Sequence, residues 1–234
     1  MFKNYLKIAL RNIMKHKGDS FINIFGLAIG IACTILISLY ILEELSFDRY
    51  HEKSDRIYRM IQVLARGTGY EHETILQSAL YAPMLLEEIP DVQEAARIYA
   101  PGIFGKSVLL RYKDRQFYTQ ELIFADASLF KIFTFPFIQG SPDTAFPNPQ
   151  SMVITENAAA KYFGVEDPIG KTITYENKYQ FIVTGILKNI PNNSHFTFDF
   201  AIPIQSYPAL KGEPLEKWTN NAFPTYILLP EGYD

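Results

Sequence analysis

Cysteine is almost missing from this chain of 234 residues: Cys33 is the only one, which excludes an intrachain disulfide and a cysteine zinc cluster. Neither a G-x-S-x-G elbow nor an H-E-x-x-H pair occurs, so two common hydrolase signatures are absent. There is no internal repeat and no low-complexity tract. With 48% hydrophobic, 15% aromatic and 20% charged residues, the composition excludes disorder, collagen and a long coiled coil. The most telling absence is local. Residues 21–42 contain no Asp, Glu, Lys or Arg.

That stretch, Phe21 to Leu42, is 22 residues long and 13 of them are Leu, Ile or Phe. As a helix it reaches ~33 Å, enough for a ~30 Å hydrocarbon core. At roughly −0.5 kcal/mol each, those side chains favour insertion by ~6 kcal/mol, which absorbs Asn23 and Thr34. Glu43-Glu44 follows in place of a small-residue cleavage site, so a membrane helix is expected rather than a cleaved signal peptide. Gly26, Gly30, Thr34 and Ser38 recur every four residues. Such a ladder of small side chains is expected to be the packing face for another membrane helix.

The net charge of −3 is unevenly spread: residues 1–20 carry +4 and residues 43–234 carry −7. The positive-inside rule then expects residues 1–20 in the cytoplasm and residues 43–234 outside it. Within residues 2–14, Phe2, Leu6, Ala9, Leu10, Ile13 and Met14 recur at helical spacing, with Lys3, Lys7, Arg11 and Lys15 every four residues on another face. This predicts a basic amphipathic helix on the inner membrane surface, broken at Gly18 before the span. An acidic body with so short a basic end does not suit nucleic acid.

Beyond the span, Ser46 to Arg59 is polar and reads as a continuation of the helix out of the membrane. Strands are expected at 57–65, 92–99, 107–112, 116–124, 151–154, 171–175, 179–187, 196–202 and 224–229. Helices are expected at 83–89, at 127–133 capped by Asp126, and at 156–163 capped by Thr155 and ended by Gly164. Residues 136–150, with four prolines, read as a loop. Interspersed helices, strands and hairpins make the class mixed α+β.

No constellation for catalysis stands out. Gly164 to Thr172 resembles a phosphate loop, but five residues rather than four separate its glycines and a helix precedes it. Asp48, His51, Glu52 and Asp55 would share one helical face, which a solvated surface explains better than a metal. Glu71-His72-Glu73 reads as a polar loop. His195 stands alone and reads as a hydrogen-bonded structural histidine.

Several stretches together resemble the MacB/FtsX-like family of ABC-transporter permeases with a MacB-type periplasmic core domain. They are ALRNIMKHK, FGLAIGIA, SFDRYHEKSDRIYR, FADASLFKIFTFPFIQG, SMVITENAAAKYFGVEDPIGKTI and VTGILKNIPNNSHFTFDF. The resemblance implies one inner-membrane helix followed by a periplasmic α+β domain. Its porter-like part would be residues 43–100 and 195–234, and its sabre-like insertion residues 101–194. It also implies a permease subunit without catalytic residues or cofactor. Its partners would be a cytoplasmic ABC ATPase subunit, the membrane, a second permease and a periplasmic protein. ATP hydrolysis by the partner would drive periplasmic change for efflux, lipoprotein release or mechanotransmission. Family members continue into further membrane helices, so the chain is expected to continue past Asp234. A membrane-anchored extracytoplasmic sensor domain is the alternative with the same outline.

Overall fold

A computed structural model describes residues 2–66 and 70–233. The chain divides into two compact units, Met1–Phe47 and Asp48–Asp234. In the first, α1 (Phe2–Lys15) and α2 (Lys17–Glu44) are long helices. The break falls at His16 (φ −116°, ψ 60°) rather than Gly18. Glycine costs a helix about 1 kcal/mol, a penalty that a long apolar helix tolerates in its first turn. α2 has 28 residues, about 42 Å at 1.5 Å per residue, and is long and apolar enough to cross a membrane.

The second unit contains β1 (Ile57–Arg59), β2 (Gln62–Arg66), β3 (Tyr70–Thr74), β4 (Gln77–Ser78), α3 (Tyr81–Glu88) and β5 (Glu94–Tyr99). There follow β6 (Val108–Tyr112), β7 (Arg115–Thr119), β8 (Leu122–Ala125), α4 (Leu129–Ile132), β9 (Phe137–Gln139), β10 (Ser151–Thr155) and α5 (Glu156–Phe163). It closes with β11 (Thr172–Tyr175), β12 (Tyr179–Leu187), β13 (Phe200–Pro203), α6 (Tyr207–Lys211), β14 (Asn221–Phe223) and β15 (Thr225–Leu228). Among the described residues eleven strands form one mixed sheet in the order β1-β15-β5-β8-β13-β10-β12-β11-β6-β7, with β9 also paired to β12. The β10/β12 and β13/β8 pairs are parallel and the other pairs in the sheet antiparallel.

The middle strands explain the architecture. β8 (LIFA), β10 (SMVIT) and β13 (FAIP) are buried at every position. Successive strand residues face opposite sides, so runs without polar alternation require cover on both faces. One face carries Leu122, Phe124, Met152, Ile154, Phe200 and Ile202, packed with Tyr162 and Phe163 of α5. The other carries Ile123, Ala125, Val153 and Ala201, packed with Leu129, Phe130 and Ile132 of α4.

Local signals were followed closely around α5. Thr155 Oγ1 accepts the Ala158 N–H at 3.2 Å and Gly164 stops the helix at φ +67°. Glu176 and Asn177 both have positive φ (49° and 54°) at the centre of the turn between β11 and β12, which the Lys178 N–H closes by donating to Tyr175 O at 3.0 Å. Elsewhere tertiary bonds override local preference. Asp126 does not cap α4: its carboxylate forms a two-point ion pair with Arg97, Nε–Oδ2 and Nη2–Oδ1 both 2.8 Å. The expected strand 57–65 is split into β1 and β2, and Phe137–Gln139 inside the expected loop adds β9 to the sheet. His72 and Glu73, expected in a loop, lie on β3, which pairs with β2 as a hairpin outside the main sheet.

Candidate functional site: the segment that follows the apolar helix

Residues 45–56 are not helical. The continuous helix expected over 46–59 gives way because the segment's polar groups find better partners across the fold. Asp48 takes a left-handed conformation (φ 59°), and its N–H donates to Asn193 O at 2.9 Å. Its carboxylate accepts the His195 main-chain N–H at 3.1 Å and faces His195 Nδ1 at 2.8 Å. His195 Nε2 lies 2.8 Å from the Tyr226 hydroxyl. A carboxylate only accepts, so His195 Nδ1 carries the proton. In the neutral ring Nε2 is then the acceptor, and Tyr226 donates to it.

The bonds continue along the segment. Tyr50 Oη is 3.0 Å from Ser194 Oγ. The Thr134 N–H donates to His51 Nδ1 at 3.1 Å, and the Glu52 N–H donates to Thr134 Oγ1 at 2.9 Å. Lys53 Nζ donates to Lys131 O at 2.7 Å. The Leu229 N–H donates to Arg56 O at 3.0 Å, beside an Arg56–Glu231 ion pair of 3.3 Å. Six residues of one polar segment, Asp48, Tyr50, His51, Glu52, Lys53 and Arg56, are thereby fastened to three distant stretches: 131–134, 193–195 and 229–231.

Burial sets the electrostatics. His51 is 2% exposed, and its edge-on contacts with Phe133 and Phe135 form an apolar box. Desolvation holds its pKa below the ordinary 6.5, with Asp48 opposing and His195 reinforcing the shift. Burial pushes Tyr226 up to about 12 against the counter-effect of Arg59, which also hydrogen-bonds the phenol. Desolvation likewise raises Tyr50.

Two clefts open on this cluster. One of about 360 Å³ has apolar walls from Ile75, Ile98, Ile103, Ile123 and Phe196. The other, about 300 Å³, is bounded by Asp48, His51, Ser54, Ile57 and Phe133. Arg59, His195 and Tyr226 line both.

The structure thus brings His195, which the sequence left alone, to Asp48 and His51 at one cleft, and it gives His195 two side-chain partners. Glu52 and Asp55 do not converge with them, and no group of three or more metal-ligating side chains occurs among the described residues. Gly164 ends α5 and Lys171 precedes β11, so the glycine pair sits between a helix stop and a strand. In α2, Gly26 and Gly30 have no side chain or neighbouring chain within reach of an added Cβ. The Thr34 hydroxyl donates to Gly30 O at 2.8 Å, and Ser38 is exposed. The partners in this clasp lie up to 175 residues apart, beyond any local sequence signal. The stretches SFDRYHEKSDRIYR and NSHF contained them only as a resemblance.

A helix long and apolar enough to cross a membrane is followed by a mixed α+β domain whose sheet is covered on both faces and fastened at its entry segment. Residues 20–233 match the family described as MacB-like periplasmic core domain, and the chain belongs to that family of ABC-transporter permease domains. No curated protein matches the sequence. Among solved structures, the chain is similar to a domain assigned to a permease protein of Porphyromonas gingivalis (24% identity, TM-score 0.67, 79% of this chain and 77% of that one). It is similar to the periplasmic region of MacB from Actinobacillus actinomycetemcomitans (16%, 0.56, 76% and 77%). It is also similar to the extracellular domain of the noncanonic ABC-type transporter YknZ from Gram-positive bacteria (14%, 0.52, 76% and 83%). At these identities the structural likenesses establish the fold.

Proposed function

We propose that the chain acts in a permease subunit of an ABC transporter. It would pass the effect of ATP hydrolysis by a cytoplasmic partner to a periplasmic conformational change. The supporting observation is the clasp: the residues that directly follow the apolar helix bond to three separate parts of the body. A displacement of Asp48 is therefore felt at 193–195 and, through Tyr226, at β15 in the sheet. The family membership favours this reading over an anchored sensor.

The reading carries further parts. Residues 1–20 are cytoplasmic, 21–42 span the inner membrane, and the body is periplasmic, as the charge distribution supports. The body divides into a porter-like part, 43–100 and 195–234, and a sabre-like insertion, 101–194. The face Gly26, Gly30, Thr34 and Ser38 packs against a further membrane helix or a second permease. The chain itself neither hydrolyses ATP nor needs a cofactor.

The test isolates tagged chain from its native membranes in lipid nanodiscs. An ATPase subunit should co-purify, and ATP turnover should change amide exchange in residues 191–196 and β15. Asp48→Asn should keep turnover and lose the exchange response. Absence of an ATPase partner, or an unaltered response in the variant, overturns the proposal.

A further inference from the structure

The clefts beside the clasp contain a mismatch between hydrogen-bond donors and acceptors. Asp48 already accepts two bonds from His195, and Glu121 Oε2 accepts the Thr197 hydroxyl at 3.1 Å. The carboxylates lining the clefts are thus engaged. The donors are not. Arg59 is the single Lys or Arg lining either cleft, and it forms no ion pair among the described residues. A guanidinium carries five N–H groups, more than its hydrogen bond to the Tyr226 oxygen uses. His51 has its tautomer fixed: Nδ1 accepts the Thr134 N–H, so Nε2 carries the hydrogen, and that buried atom has no partner. A buried donor without a partner is costly, and proteins rarely leave one so.

Next to these donors stand the walls of the larger cleft. Its volume of about 360 Å³ is within the roughly 300–1,000 Å³ of small-molecule sites. Ile98 and Ile123 are buried and Phe196 half-buried in the second core layer, so this wall is preformed. Ile103, which also lines this cleft, is 57% exposed.

We propose that this double cleft binds an amphipathic ligand with an anionic oxygen head, the head on Arg59 and His51 and the apolar body against Ile98, Ile103, Ile123 and Phe196. A planar guanidinium matches a carboxylate or a phosphate with two parallel bonds, and the ligand supplies the acceptors that the lining lacks. Because His195 and Tyr226 belong both to the clefts and to the clasp, and Arg59 bonds the Tyr226 oxygen, occupancy bears on the same bonds that fasten Asp48. That consequence rests on the transport reading; the binding itself does not.

The test uses the full chain in lipid nanodiscs, with empty discs as the partition control. Decanoate, decyl phosphate and decanol are titrated by calorimetry. Decanoate, decyl phosphate or both should bind saturably, and decanol at least about tenfold more weakly, the expected loss when a charge-assisted bond is removed. Binding of decanoate alone identifies a carboxylate source, of decyl phosphate alone a phosphate source. Arg59→Leu should lose about tenfold or more, Arg59→Lys less, and Ile103→Asp should weaken binding at the exposed rim without disturbing the core. Arg111→Leu, an exposed cation on β6, should change nothing. Equal binding of decanol and decanoate, or wild-type binding by a folded Arg59→Leu, overturns the site. Intact binding in a chain that recovers no ATPase would instead refute the transport reading alone.

Discussion

His195 shows how much a single ring can hold when both of its nitrogens are engaged. Asp48→Asn removes the charge that faces Nδ1, and Tyr226→Phe removes the donor at Nε2. Each should destabilise the body by about 1–3 kcal/mol, as for other lost partners of half-buried polar groups. Chemical denaturation of the full chain, followed by tyrosine fluorescence, measures this. The two losses should not add, because both act through one imidazole. His51 gives the acid side of the pH profile. Its folded pKa lies below 6.5, so the native state holds fewer protons than the unfolded state, and stability falls as pH drops below about 6.5. His51→Gln should flatten that limb. Tyr226 gives the alkaline side. Its pKa of about 12 exceeds the ordinary 10, so its contribution is complete below pH 10 and is lost as pH rises toward 12. Tyr226→Phe should lessen that alkaline loss. The sequence reads His195 as a hydrogen-bonded structural histidine but gives no sign of its partners, since Asp48 and His195 stand 147 positions apart and the segment around Asp48 has helical spacing.

At the level of elements, legibility follows the range of the forces involved. α5 was readable to the residue because its cap, helix and stop are neighbours in the chain: Thr155, Ala158 and Gly164. Thr155→Ala should cost about 1–2 kcal/mol, since the same hydroxyl also bonds Asp199 at 2.6 Å. Thr155→Ser should restore most of it. The start of α4 was misread because Asp126 has two possible partners, a helix start three residues on and Arg97 in β5. The two-point pair wins, with side chains only 15% and 11% exposed. Asp126→Asn should therefore cost about 3 kcal/mol, far more than a lost cap, by leaving Arg97 uncompensated. Thermal unfolding separates these sizes. The order of the sheet strands was not legible at all, because a strand's own alternation says which face is covered and nothing about its neighbour.

For the whole molecule, the composition told most. One charge-free stretch beside a charge step gives the outline of anchor and body, and the interspersed helices and strands give the mixed α+β class, whereas the cover on both faces of the sheet comes from the structure. The outline leads to two expected outcomes. A cysteine at Lys15 should resist an impermeant thiol reagent in intact cells, whereas one at Glu166, on the exposed surface of the body, should react once the outer barrier is permeabilised. Gly30→Leu should impair recovery of the assembled permease while Ile29→Leu leaves it intact, because only the former adds bulk where small side chains allow backbones to approach. Membrane fractionation checks that both variants still insert.

The pairing of β1 with β15 also fixes how the body yields to tension. Ile57 lies opposite Leu228 and Arg59 opposite Tyr226, so the incoming and outgoing strands run in opposite directions. Their free ends, at Arg56 and Leu229, meet at the same end of the ladder. A pull applied at those two ends loads one rung at a time, like peeling tape, instead of sharing the load across all rungs in shear. Arg56–Glu231 and the Arg56–Leu229 bond are the first to give, then the rung at Ile57, while the Asp48 carboxylate holds the strand before it to His195. In a force-extension trace this edge should part early and at low force, well before the rest of the sheet, and Asp48→Asn should bring the event forward.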